Sequence, residues 1–169
     1  MGAHENSEHL ATGRRHDQSI WILSLPLGII AGLVLGIDAG LIAAGACLVG
    51  GLWLSPDLDI RSVALRRWGP LSVLWWPYRR LIPHRSLWSH GPLLGTTVRL
   101  AWLLTWCLIV TVAVPALSPS LFLAALQQLM RQHPRAWIGF VVGLEGSAWI
   151  HLMLDGDPWP QEWSNKRLR

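Results

Sequence analysis

The chain alternates long apolar runs with connections that are either very short or densely polar. Residues 20–36 and about 41–55 form two apolar runs, separated by Gly36-Ile37-Asp38-Ala39-Gly40, a link short enough for a tight antiparallel hairpin. Two further runs cover about 92–114 and 136–155. A hydrocarbon core about 30 Å thick needs roughly 20 apolar residues in helical form, so the pattern predicts four membrane helices, the first two near the lower length limit. Gly28, Gly32 and Gly36 recur every four residues on the first helix, and Ala46 and Gly50 repeat the spacing on the second. Small residues at that spacing let helices approach closely in lipid, although glycine is also simply common in membrane helices.

The polar connections divide the chain further. Residues 1–19 are expected to be a polar, irregular N-terminal segment, 20–155 a four-helix membrane domain, and 156–169 a basic tail. Residues 56–90 form the longest polar connection, and within it Leu65–Ile82 interleaves arginines with Trp68, Trp75, Trp76 and Tyr78. Indole rings and cationic side chains together suit a segment lying in the lipid headgroup layer. Pro92 is placed to open the third helix, where a missing N–H costs nothing. The outer connection carries Leu121–Met130, too short to span and expected to lie on the surface or re-enter.

Composition strengthens the membrane reading. Of 169 residues, 51% are hydrophobic and 14% charged, whereas soluble domains carry about 25% charged residues. Twelve tryptophans against one tyrosine and two phenylalanines fit a chain that meets water–lipid interfaces. With four spans, the side holding both termini and residues 56–90 has eleven Lys/Arg; the other has Arg131 and Arg135, while Arg99 falls inside the third helix. The positive-inside rule places both termini in the cytoplasm. The net charge of +4 is thereby explained without nucleic acid as a partner. Cys47 and Cys107 lie in apolar runs without CxxC spacing and read as small buried hydrophobes.

Candidate chemistry gathers on the basic side. His16 precedes the first helix, Asp57 and Asp59 follow the second, His84 and His90 lead into the third, and His151 and Asp155 close the fourth. The outer connections offer only Asp38 and His133. His151 and Asp155, four apart, share one helical face and can reach one ion. Asp57 and Asp59, two apart after Pro56, need an extended turn, one binding metal and the other orienting a histidine. His84 is expected on a loop and His90 at the third helix's N-terminus. Histidine and aspartate without cysteine point to zinc, manganese or iron, and the number of donors allows one or two ions. Arg99 and Glu145 lie deeper; they are placed to form an ion pair, the alternative being a protonated Glu145 among small residues.

The ordered set Pro56-Asp57-Leu58-Asp59, His84-Arg85-x3-Ser89-His90 and His151-x3-Asp155 resembles the DUF2227 family of bacterial membrane metal-binding proteins. It is also similar to the broader YdjM-like membrane-bound metal-dependent hydrolases, and more distantly to the zinc-dependent phospholipase C/P1 nuclease group. The latter likeness implies His16, Asp57, His90 and His151 as ligands and Asp155 as a bridging ligand. Together these likenesses imply a protein of a bacterial inner or internal membrane. The expected function is metal-dependent hydrolysis of a phosphoester, on a lipid or lipid-linked substrate, with Asp59 as base or orienter and Arg85 on the phosphoryl oxygens. The other class is a non-catalytic scaffold or assembly factor in which a structural metal clamps helix ends.

Overall fold

The computed structural model describes residues 2–114 and 116–155, with side chains from Gly13 onward; the expected basic tail, 156–169, lies outside the described residues. Among these residues the fold is all-helical. It comprises α1 (Gly2–Leu35), α2 (Ile37–Leu52), α3 (Val63–Arg67), α4 (Trp76–Leu81), α5 (Leu87–His90), α6 (Leu94–Ala113), α7 (Pro119–Gln132) and α8 (Pro134–Leu154). Two 3-10 turns, Pro56–Asp59 and Gly69–Trp75, complete the middle connection. Four segments, Gly13–Leu35, Ile37–Asp59, Leu94–Ala113 and Pro134–Leu154, are long and apolar enough to cross a membrane. The first helix begins at Gly2, so the backbone ahead of Ile20, expected to be irregular, is helical.

The main bundle is α1, α2 and α8, and side-chain size explains its tightness. Gly36 turns the chain between α1 and α2 with φ 101°, a left-handed conformation that costs glycine little. A methyl group added to Gly40 would lie 2.6 Å from the Gly32 Cα, and one added to Gly143 would collide with the Ala43 carbonyl. Of the expected ridges, Gly28 and Gly32 face Gly40 and Gly50 faces Ser147, where α2 meets α1 and α8, while Gly36 faces open space. Helix α6 is the least buried of the four candidate spans and touches α8 only sparingly. Helix α7 buries no residue; Leu121, Leu123, Leu129 and Met130 are exposed. Cys47 is buried as expected, whereas Cys107 lies on the exposed flank of α6.

In the 56–90 connection two of the four aromatics expected among lipid headgroups turn inward. Trp75 and Tyr78 are fully buried and form a core with Leu58, Ala64 and Leu65, against which Trp68 and Trp102 pack. Edge-to-face ring contacts run from Trp68 to Trp75 and on to Tyr78, both at 5.3 Å, and then to Trp102 at 5.7 Å. These aromatics fill a folded cap in which Trp102 Nε1 donates to the Leu74 carbonyl. Trp76, with the Arg80 guanidinium over its ring, and Trp88 remain outside. Short helices leave the cap few backbone-only contacts, so aromatic area supplies its cohesion.

Candidate metal centre

Each candidate side chain is delivered by a local feature of the cap or bundle. His16 projects from α1. Asp57 and Asp59 sit in the 3-10 turn that opens at Pro56, where the Ser55 hydroxyl accepts the Asp57 N–H. His84 lies in the turn after α4. His90 ends α5 and does not open α6, which starts only at Leu94. Pro92 explains the interruption: it disfavours helix at the preceding residue, and Gly91 is extended at φ −64°, ψ 131°. His151 and Asp155 share the last turn of α8, as their spacing predicts.

The tertiary fold brings all seven groups together, in two overlapping sets. In the first, Asp57 Oδ1 stands 3.5 Å from His90 Nε2 and 3.5 Å from His151 Nε2, and His151 Nε2 is 3.3 Å from Asp155 Oδ2. In the second, Asp59 Oδ1 is 3.0 Å from His84 Nδ1, and Asp59 Oδ2 is 3.6 Å from His90 Nδ1. His16 joins the first set from its flank, its Nε2 3.2 Å from Asp155 Oδ1 and its ring 4.4 Å from that of His151. Arg85 occupies the turn beside His84 in a left-handed conformation, φ 54°.

The distances within the first set suit a coordination shell. Donors about 2.0–2.2 Å from a tetrahedral ion lie roughly 3.3–3.6 Å from one another, longer than a good hydrogen bond. The three measured separations fall in that window. Moreover, His90 Nε2 and His151 Nε2 are buried and lack a hydrogen-bond partner among the described residues. Buried nitrogens without partners are costly unless something else satisfies them. The donor chemistry, two imidazoles and two carboxylates, fits a divalent transition metal.

Surrounding groups hold this shell in place. The Ser89 hydroxyl lies 2.8 Å from His90 Nδ1 and is itself fixed by Pro83, Ser86 and the Ser86 N–H. With Nε2 facing the ion position, Nδ1–H donates to Ser89 and so sets tautomer and ring orientation. Burial alone would raise Asp155, but the imidazoles of His151 and His16 hold its carboxyl well below the usual carboxylate range. The hydrogen bond to Asp59 raises His84 above its ordinary value, against the opposing effect of burial.

Sequence reasoning misplaced the deeper charges. Among the described residues Arg99 and Glu145 form no ion pair with each other. Glu145 Oε1 accepts the Leu93 N–H at 2.7 Å, stabilising Leu93 at φ 59°. Arg99 donates to the Ser89 carbonyl at 2.7 Å and to Thr96 Oγ1 at 3.1 Å. Both therefore clamp the backbone on either side of His90. The pairing of Asp17, next to His16, with Arg67 and the role of Ser89 emerge only from the fold. Ser89 belongs to the motif, yet only the fold reveals that it is bonded to the neighbouring histidine.

Comparisons with known proteins agree with this geometry. No solved structure matches the chain. An uncharacterized protein of Aquifex aeolicus (strain VF5) is 44% identical over 57 residues, covering 33% of this chain; the chain thus spans 40% of that relative's length. The profile of a whole family matches far more, residues 11–166, and this span contains every candidate ligand. With two imidazole nitrogens and two carboxylates converging on one point, the chain belongs to the family described as uncharacterized metal-binding protein, DUF2227.

Proposed function

We propose that this protein is a membrane-embedded, metal-dependent hydrolase that acts at the cytoplasmic face on a phosphoester, borne by a lipid or lipid-linked molecule, with zinc as its ion. The observation that carries the reading is the convergence of Asp57, His90, His151 and Asp155, with the imidazoles buried and the carboxylates partly exposed, at 28% and 20%. That asymmetry leaves a side open for a substrate, which a closed structural site would lack. The likeness of the motifs to YdjM-like hydrolases supports the same class.

A divalent ion held here supplies Lewis acidity, bringing a water molecule's pKa toward neutrality and polarising a phosphoryl group. The chain's own contribution is orientation. Ser89 fixes His90, His16 steadies Asp155, and Asp59, buried and bonded to His84, suits an orienting role better than that of a free base. Arg85, exposed in the turn beside His84, is the proposed partner for phosphoryl oxygens.

The rival reading, a structural clamp, draws on a different fact: the donors come from the 3-10 turn, α5 and α8, so one ion would tie three elements together. Elemental analysis of purified wild type beside the His151→Ala/Asp155→Ala double variant tests metal binding first. Turnover of chromogenic phosphomonoesters and phosphodiesters then separates the readings. Hydrolysis lost in a folded Asp57→Ala variant supports the enzyme. A metal-loaded wild type that turns over no phosphoester, and unfolds when stripped, favours the clamp.

A further inference from the structure

The second set of donors is not needed to complete the first. Asp57, His151 and Asp155, with His90 Nε2, already supply four donor atoms. Asp59, His84 and His90 form a second group, sharing His90, whose donor atoms all lie within 4.8 Å of one another. The Asp59 side chain is fully buried, and its Oδ2 has no hydrogen-bond partner among the described residues although it points toward His90 Nδ1. His84, by contrast, is 41% exposed at the side chain. A buried carboxylate with a free oxygen at the base and a reachable imidazole at the rim is a ligand pair open to solution.

From this arrangement we infer a second, outer transition-metal site built on Asp59 and His84, weaker than the first and joined to it through the ring of His90. The inference rests on the metal-binding reading of the first site and deepens it. Chemistry sets the order of affinity. When His90 binds an inner ion through Nε2, its Nδ1 carries the proton donated to Ser89. An outer ion then has Asp59 and His84 as protein donors, with water completing its shell. The Asp59–His84 hydrogen bond is the metal-free state of the pair, and an arriving ion replaces its proton. Because His84 stays reachable from solution, the outer pair can receive an ion before the inner shell fills.

The test is a cobalt(II) titration of metal-free, detergent-solubilised full-length protein, followed by visible absorption and calorimetry. Wild type should bind two equivalents in two phases, separated by at least about tenfold in affinity. His84→Ala, at an exposed position, should abolish the weaker phase and leave the tighter one within about threefold. Asp59→Asn should do the same, and His151→Ala should remove the tighter phase while the weaker survives. A single equivalent in wild type, a weak phase that persists in His84→Ala, or loss of both phases in folded His84→Ala would each overturn the outer site alone. Absence of any cobalt binding in wild type would instead overturn the metal-binding reading beneath it.

Discussion

At the scale of single residues, the centre depends on groups that hold ligands as much as on the ligands. Ser89 touches no proposed ion, yet its hydroxyl decides which nitrogen of His90 bears the proton. Ser89→Ala should therefore weaken the tighter metal phase by about 10–100-fold while the helical content stays unchanged, as competition with a chromophoric chelator can measure. Titration behaviour supplies a second prediction. Asp155 is held ionised, so no proton must leave it before a metal binds at neutral pH. His84 is raised by Asp59 and stays protonated to a higher pH than a free imidazole. Capture of an ion there expels that proton. The weaker phase should strengthen as pH rises, by up to about tenfold per unit, and level off once pH passes the raised value of His84. Titrations across the neutral range would reveal a pH-independent weak phase if this were wrong.

Individual elements place these residues, and each has a distinct weak point. Glu145 on α8 satisfies the Leu93 N–H, and Arg99 on α6 satisfies the Ser89 carbonyl, so two buried polar side chains hold the α5–α6 link that carries His90. Glu145→Leu leaves that amide without its acceptor and should cost about 1–3 kcal/mol of stability, whereas Glu145→Gln keeps the acceptor and should cost less. Thermal denaturation with and without metal would compare them. The cap is held by its aromatic core, so Trp75→Ala should destabilise by about 3–5 kcal/mol and loosen Asp57 and Asp59 with it. At these positions sequence reasoning had the right residues and the wrong neighbours. Arginine beside tryptophan reads equally well as a lipid-facing segment or as a folded cap, because neither pattern reports what lies across the chain. The ridges of Gly28 and Gly32 and of Ala46 and Gly50 were legible as small residues four apart, and the structure packs Gly28 and Gly32 on Gly40 and Gly50 on Ser147.

For the whole molecule, the proposed topology puts the two termini, the cap and the metal centre on one side of the membrane. Reporter fusions at each terminus should both report the cytoplasm, and a reporter placed after Gln132 in the outer connection should report the opposite side. The same frame makes metal a fold-wide ligand. An ion that bridges the 3-10 turn, α5 and α8 binds the folded chain only, so loading should stabilise it in proportion to occupancy, about 4 kcal/mol at a thousandfold excess over the dissociation constant. Equal melting temperatures for stripped and loaded protein would show that the ion does not tie these elements together.

Sequence alone determined the four long apolar helices and their order. Hydrophobic run length is a local quantity, legible without knowledge of what packs against it. The pairing of His151 with Asp155 was equally local, because a helical repeat dictates which residues share a face. Only the tertiary structure decided that Asp57 faces His90 and His151 while Asp59 faces His84, and that Arg99 and Glu145 grip backbone instead of each other. Those choices depend on how a 3-10 turn, a four-residue helix and an αL residue orient their side chains across segments distant in sequence. No periodicity in one segment encodes a distance to another, so the grouping of Asp57, His90, His151 and Asp155 beside Asp59 and His84 had to await the fold.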